Sequence, residues 1–206
     1  MFINYILYLF LAYLLGSIPF ALLISLPQGV DPRKEGSKNP GATNVARLLG
    51  KKWGVLTFVG DAGKGIMALV ITRIFTGYDF KEAPYLFAGV AFFSVLGHLF
   101  SPFLKFKGGK GVATTIGTFL VLTPKAMLPS LLCFLIAVYL SGYVSLGSLI
   151  ATASLPIFIY LFKYPTEYLI SGALLTLLIW LKHRENIKRL LRGEEKTWKK
   201  KEIHGG

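Results

Sequence analysis

The 206-residue sequence predicts an all-α fold: a polytopic membrane helix bundle of seven transmembrane helices, two of them short, with the N-terminus outside and the C-terminus cytoplasmic. Three observations carry that prediction. Hydrophobic residues make up 53% of the chain and charged residues only 16%, with a mean hydropathy of +0.57. A typical globular chain has roughly 25% charged residues and can hide its apolar surface; one this small and this apolar needs lipid as solvent. Uncharged runs long enough for the ~30 Å hydrocarbon core recur along the chain, and most of the 23 Lys and Arg sit between or beyond them.

In chain order, residues 4–26 form the first span, without a charge. Its start lacks basic residues and its apolar length exceeds a signal-peptide core, so a retained helix is expected. Residues 54–76 form the second span and carry Asp61, Lys64 and Arg73; residues 83–104 form a clean third. Residues 111–140 are too long for one upright helix and contain Thr123-Pro124-Lys125. Proline removes a backbone donor and disfavours helix in the residue before it, so two short helices are expected, 111–122 and 126–140. Residues 143–162 and 166–181 complete a single domain over 1–206.

Charge sets the orientation. Loop 27–53 carries six basic residues, loop 105–110 carries three and the tail 182–206 carries nine. Seven crossings bring all three, together with the turn 141–143, to one face, which the excess of Lys and Arg makes cytoplasmic. Segment 77–82, with Lys81 balanced by Asp79 and Glu82, is then external. The net charge of +13 would suggest nucleic acid in a soluble chain, but here the bases flank apolar runs, so no nucleic-acid partner is expected. A single Cys133 excludes a disulfide framework, and three histidines without an acidic cluster predict no metal.

Three polar segments carry candidate chemistry. The first runs Glu35-Gly-Ser-Lys-Asn-Pro-Gly-Ala-Thr-Asn-Val-Ala-Arg47. Gly41 and Asn44 permit unusual backbone angles, Ser37, Thr43 and Asn44 are donors, and Arg47 can clamp a phosphate. An anion cradle at a helix start and a capped helix after a solvated loop both fit it. The second runs Phe106-Lys-Gly-Gly-Lys-Gly-Val-Ala-Thr114. It lacks the glycine spacing and preceding strand of a nucleotide-binding P-loop. Gly108, Gly109 and Gly111 let backbone approach a ligand between Lys107 and Lys110. A mere lipid anchor would not need three glycines, so a ligand loop is the better reading.

The third segment, His183 to Glu195, has Ile187, Leu190 and Leu191 at helical spacing and stops at Gly193: a short amphipathic helix at the interface. A membrane-anchoring tail explains its bases but not His183, Asn186 and Glu195. Within the second span, Asp61 and Lys64 are spaced for an ion pair on one helix face. An ionisable pair at this depth is functional by default, either as a structural pair under the site or as a catalytic one; the structural role is the expectation. His98 is expected to be a hydrogen-bonded interhelical residue, and Ser145, at a helix start, to touch phosphate.

Together these segments resemble the bacterial family of integral-membrane glycerol-3-phosphate acyltransferases that use acyl phosphate as donor. The resemblance rests on Gly16-Ser-Ile-Pro-Phe20, Gly36-Ser-Lys-Asn-Pro-Gly-Ala-Thr-Asn44 with Arg47, and Asp61-Ala-Gly-Lys-Gly65. It continues through Gly97-His98, the glycine-rich loop, Tyr143-Val-Ser-Leu-Gly-Ser148 and His183-Arg-Glu-Asn-Ile-Lys-Arg-Leu190, so it covers essentially the whole chain. It implies a bacterial inner-membrane enzyme whose cytoplasmic loops form the active site. It implies that Ser37 and Arg47 are essential, that Gly108, Gly109 and Gly111 bind glycerol 3-phosphate, and that His183, Asn186 and Glu195 have roles. One departure is Gly142, where the family pattern has Arg before the Tyr, which leaves that position without a side chain for phosphate.

The expected reaction forms 1-acylglycerol 3-phosphate (lysophosphatidic acid) and phosphate in one step, without a covalent acyl-enzyme or a cofactor. His183 and an oxygen of the acyl phosphate itself are both candidate proton acceptors, the second favoured because no His–carboxylate pair is evident in the sequence. The bilayer supplies the acyl donor sideways, and no obligate protein partner is expected. The rival class is a transporter of a phosphorylated metabolite, which would also want a broken helix and a buried ion pair. It would predict internal repeats and polar residues at mid-membrane depth, neither of which the sequence displays.

Overall fold

A computed structural model describes the backbone of residues 2–198 and the side chains from Tyr5 onward; the last part of the predicted cytoplasmic tail, 199–206, lies outside the described residues. Its helices are α1 (Phe2–Gly16), α2 (Phe20–Ser25), α3 (Ala42–Leu49), α4 (Lys51–Thr76), α5 (Pro84–Leu99), α6 (Val112–Leu122), α7 (Pro124–Ser141), α8 (Val144–Leu161), α9 (Thr166–Lys182) and α10 (Arg184–Leu191). Five stretches are long and apolar enough to cross a bilayer: Tyr5–Gln28, Lys51–Thr76, Pro84–Leu104, Pro124–Ser141 and Val144–Leu161. Of the two helices expected to be short, the 11-residue α6 is, at about 16 Å for ~1.5 Å per residue. The other, α7, expected over 126–140, gains Pro124 and Lys125 at its start and Ser141 at its end and reaches 18 residues, long enough to cross. The 17-residue α9 measures about 25 Å.

The helix break expected near Pro124 is present. Thr123 ends α6 and Pro124 opens α7, because a first-turn residue needs no N–H donor. The first span departs from the uninterrupted helix expected over 4–26. It breaks at Ser17-Ile18-Pro19, where Pro19 cannot donate and α2 restarts with Leu22 N bonded to the Pro19 carbonyl. The break turns the Ile18 carbonyl toward α4, where Lys64 Nζ donates to it at 2.8 Å.

Helix α5 lies at the centre, with Phe87, Val90, Ala91, Val95 and Leu99 buried against α1, α4, α6 and α9. Small residues set the close approaches that membrane helices need. A Cβ at Gly16 would collide with the Ser94 backbone, one at Gly97 with the Tyr13 carbonyl, and one at Gly117 with the Ala62 carbonyl. On the outside, Ile74, Phe75, Leu135, Tyr139 and Leu177 are exposed, an apolar coat that suits lipid rather than water.

Candidate active site

The three polar segments converge. They wall a cavity of about 600 Å³ together with the start of α8, and its lining continues into the apolar side chains Phe58, Ile116, Leu131, Phe134 and Leu135. Ser37, Gly41, Thr43, Asn44 and Arg47 reach it from the first segment, Lys110 and Gly111 from the second, Ser145 from α8, and His183, Asn186 and Glu195 from the third.

The first segment is held in shape by Asn44. Its Oδ1 accepts from Ser37 N at 2.8 Å, and its Nδ2 donates to the carbonyls of Pro32 and Glu35, each at 3.0 Å. The side chain that looked like a ligand donor is therefore spent on the loop itself, and a Cβ at Gly36 would collide with its amide. Ser37 is left exposed at the cavity edge, and Arg47 projects from the last turn of α3 with no carboxylate partner among the described residues.

The glycine-rich loop divides in two. Gly109 N donates to the His98 carbonyl at 3.1 Å, and a Cβ at Gly108 or Gly109 would collide with His98. These two glycines let the loop lie against the end of α5 rather than line the large cavity. Lys107 is exposed and also stands outside that lining. Gly111, at φ +87°, turns the chain into α6, and Lys110 points inward.

Lys110 Nζ donates to Asn186 Oδ1, and Asn186 Nδ2 donates to Glu195 Oε1 at 2.6 Å. Ser145 Oγ also donates to Oε1, at 2.9 Å, and Arg189 Nε to Oε2 at 2.7 Å. Sequence reasoning missed Arg189, whose place on the inner side of α10 only the packing reveals. Beyond Glu195 the chain crosses the cavity's edge: Lys196 Nζ donates to the Gly36 carbonyl at 3.2 Å, and Trp198 N to the Gly142 carbonyl at 2.8 Å. Gly142, at φ +77°, thus offers its backbone at this edge.

Electrostatics follow from this burial. Lys110 is pushed down to about 8 because burial disfavours its charge, a loss that Glu195 partly offsets. His183 falls to about 4, through burial and then the nearby Lys110 charge. Its Nδ1 lies 2.8 Å from the Ile179 carbonyl, which fixes a proton there and leaves Nε2 as an acceptor. Burial pushes the Glu195 carboxyl up, but hydrogen bonds from Asn186, Arg189 and Ser145 outweigh it and hold it below the ordinary value.

Under the cavity, Lys64 Nζ lies 2.9 Å from Asp61 Oδ1, as the spacing predicted, and Asp61 also lines the cavity. The pair has a third member. His98 Nδ1 lies 2.9 Å from Lys64 Nζ and 3.4 Å from Asp61 Oδ1, so His98 is the hydrogen-bonded interhelical residue expected. The same geometry corrects the reading that no histidine stands beside a carboxylate: the two meet across α4 and α5, a proximity that sequence spacing cannot display.

The fold and the site define an integral, multi-pass membrane protein whose basin, lined by Arg47, Lys110 and Arg189, runs into an apolar cleft. The comparisons narrow that class. A family model described as "Glycerol-3-phosphate acyltransferase" matches residues 6–193. The chain is 48% identical over 192 residues to a glycerol-3-phosphate acyltransferase of Desulfotalea psychrophila, covering 93% of this chain and 96% of that one. It is 43% identical over 188 residues to one of Trichlorobacter lovleyi, covering 91% and 94%. A crystal structure of PlsY (YgiH), an integral membrane glycerol 3-phosphate acyltransferase in its glycerol 3-phosphate form, superposes with a TM-score of 0.89 at 40% identity, covering 95% of this chain and 96% of that one. This chain belongs to the glycerol-3-phosphate acyltransferase family and is an integral, multi-pass membrane acyltransferase.

Proposed function

We propose that this protein transfers a fatty acyl group from acyl phosphate to the sn-1 hydroxyl of glycerol 3-phosphate, giving 1-acylglycerol 3-phosphate and inorganic phosphate. The reaction takes place at the cytoplasmic face of a bacterial inner membrane, in a bundle that crosses it seven times. The observation that carries this reading is the continuity of one cavity, from the basin around Arg47 and Lys110 to the apolar wall of Phe58, Ile116, Leu131 and Phe134. A soluble phosphate ester fits the first part and an acyl chain entering from the bilayer fits the second.

Both substrates carry phosphate, so the main barrier is bringing two anions together. Arg47, Lys110 and the α6 N-terminus supply the positive potential and donors for that task, while the one proton of Ser145, expected to touch phosphate, goes to Glu195. Positioning of this kind is worth up to ~7–11 kcal/mol. The glycerol C1 oxygen bonds to the acyl carbon, the bond from that carbon to the phosphate oxygen breaks, and the hydroxyl proton passes to an oxygen of the departing phosphate. Phosphate is a stable leaving anion, so little general-acid help is needed. Burial leaves His183 a weak base, which supports proton transfer to the substrate's own oxygen. No imidazole or carboxylate hydrogen-bonds Ser37 Oγ among the described residues, which supports direct transfer without an acyl-serine.

The test is to reconstitute purified protein in lipid and supply glycerol 3-phosphate with acyl phosphate, using acyl-CoA as control donor. Formation of 1-acylglycerol 3-phosphate from acyl phosphate is expected. Product from acyl-CoA alone would refute the donor assignment, and product from neither would refute the reaction.

A further inference from the structure

The Asp61–Lys64–His98 cluster does more than brace two helices. His98 is 8% exposed, and its imidazole has two distinct ends. Nδ1 faces Lys64 Nζ at 2.9 Å. Asp61 Oδ1 stands farther from Nδ1, at 3.4 Å. An ammonium has donors only, so toward its nearer neighbour Nδ1 presents its lone pair, and in the neutral ring the proton then resides on Nε2. Lys64 is held in that role by Asp61 Oδ1 at 2.9 Å and the Ile18 carbonyl at 2.8 Å.

The Nε2 end has no hydrogen-bond partner among the described residues. Among the described residues the side-chain polar atoms that are both unpartnered and sealed off are Ser25 Oγ, Ser94 Oγ and Thr114 Oγ1; Nε2 is not one of them. It lies against Gly109, where any Cβ would collide with it, and the His98 residue lines the large cavity as well as the small space beside Gly109. Asp61, its neighbour, is one helical turn from Phe58 of the apolar wall. The loop beneath His98 continues into Lys110 and Gly111 of the basin. His98 therefore stands where the basin meets the cleft. The N–H groups of Val112 and Ala113, which also line the cavity, precede the first bond of α6, Thr115 N to the Gly111 carbonyl.

We propose that His98 is a further catalytic residue: its Nε2–H, pinned in place by Lys64, donates to the acyl carbonyl oxygen of the donor as negative charge grows there. This rests on the reaction proposed above. The acyl carbon must lie at the join of the two parts of the cavity, and His98 and the first turn of α6 are the donors facing that join. Asp61 and Lys64 are then positioning residues that act through the ring. The absence of a β-carbon at Gly109 gains a purpose, since it leaves room for the imidazole edge.

Two variants separate this role from simple bracing. The amide nitrogen of His98→Gln can reach the Nε2 position but leaves nothing at Nδ1, whereas His98→Asn can preserve an acceptor for Lys64 but falls short of the cavity. With acyl phosphate and glycerol 3-phosphate in lipid, His98→Asn is expected to lower kcat by about 100-fold, the loss typical of one oxyanion donor. Its KM for glycerol 3-phosphate should stay within about twofold, and His98→Gln should keep kcat within about tenfold of the parent, on the same scale. Equal activity of the two variants, or a more active His98→Asn, would overturn the proposal in favour of bracing. If neither variant folds, nitrogen NMR of histidine-labelled parent protein decides: only three histidines contribute. The Nε2–H tautomer at His98, shifted by a non-reactive acyl phosphonate, is expected; an Nδ1–H tautomer or an unmoved resonance would overturn it. Inactivity of the parent protein itself would count against the reaction instead, so the two failures are distinguishable.

Discussion

Lys110 and Glu195 are joined through a single side chain: the Asn186 amide accepts from Lys110 and donates to Glu195 Oε1 at 2.6 Å. That link ties the glycine-rich loop to the segment that follows α10 and sets where the Lys110 charge stands.

Replacing Asn186 with Leu leaves both partners without their amide in a largely enclosed site. Such a loss costs about 1–3 kcal/mol. At ~1.36 kcal/mol per decade, kcat/KM for glycerol 3-phosphate should fall by about 5–150-fold, read from initial rates in lipid.

Lys110, lowered to about 8, loses its charge at a pH where an ordinary lysine keeps it. The cation is the phosphate-binding form, so kcat/KM for glycerol 3-phosphate should fall as pH rises through about 8. In Lys110→Arg, which stays charged, that alkaline fall should vanish even if the absolute rate is lower. His183, at about 4, stays neutral across the neutral range and should contribute no limb between pH 6 and about 8. A pH series on the parent and both variants, Lys110→Arg and His183→Ala, checks both statements.

Glu195 bears on stability with the opposite sign. Its folded-state carboxyl is held below the ordinary glutamate value, so its stabilisation is present above that ordinary value and is lost as pH falls through the lowered one. Thermal unfolding in detergent should show part of the acid destabilisation of the parent missing in Glu195→Gln.

Gly97 packs against the Tyr13 carbonyl and Ser17 where α5 crosses α1. Gly97→Ala should force those helices apart and cost about 1–3 kcal/mol, seen as a lower unfolding temperature.

Much of this was legible in the sequence, for identifiable reasons. Apolar length and the placement of bases announce a membrane bundle, and Pro124 announces the α6–α7 break because its missing donor acts locally. Pro19 has the same chemistry but sits inside an uncharged run, where hydropathy hides it. The three polar segments were visible through their small polar residues, glycines and bases. The division of labour inside them was not. Asn44 closes its own loop, Gly108 and Gly109 seat the loop on α5, and Lys107 faces outward, because those outcomes depend on which neighbour each residue meets across helices. The same limit hid Arg189 and the meeting of His98 with Asp61.

The measurement that bears most directly on a single basin holding both substrates at once is a two-substrate initial-rate study. Acyl phosphate is varied at several fixed concentrations of glycerol 3-phosphate, with the protein in lipid. Lines that intersect in a double-reciprocal plot are expected, since both phosphates must be bound before transfer. Parallel lines, the mark of an acylated enzyme that releases phosphate before the acceptor arrives, would contradict it.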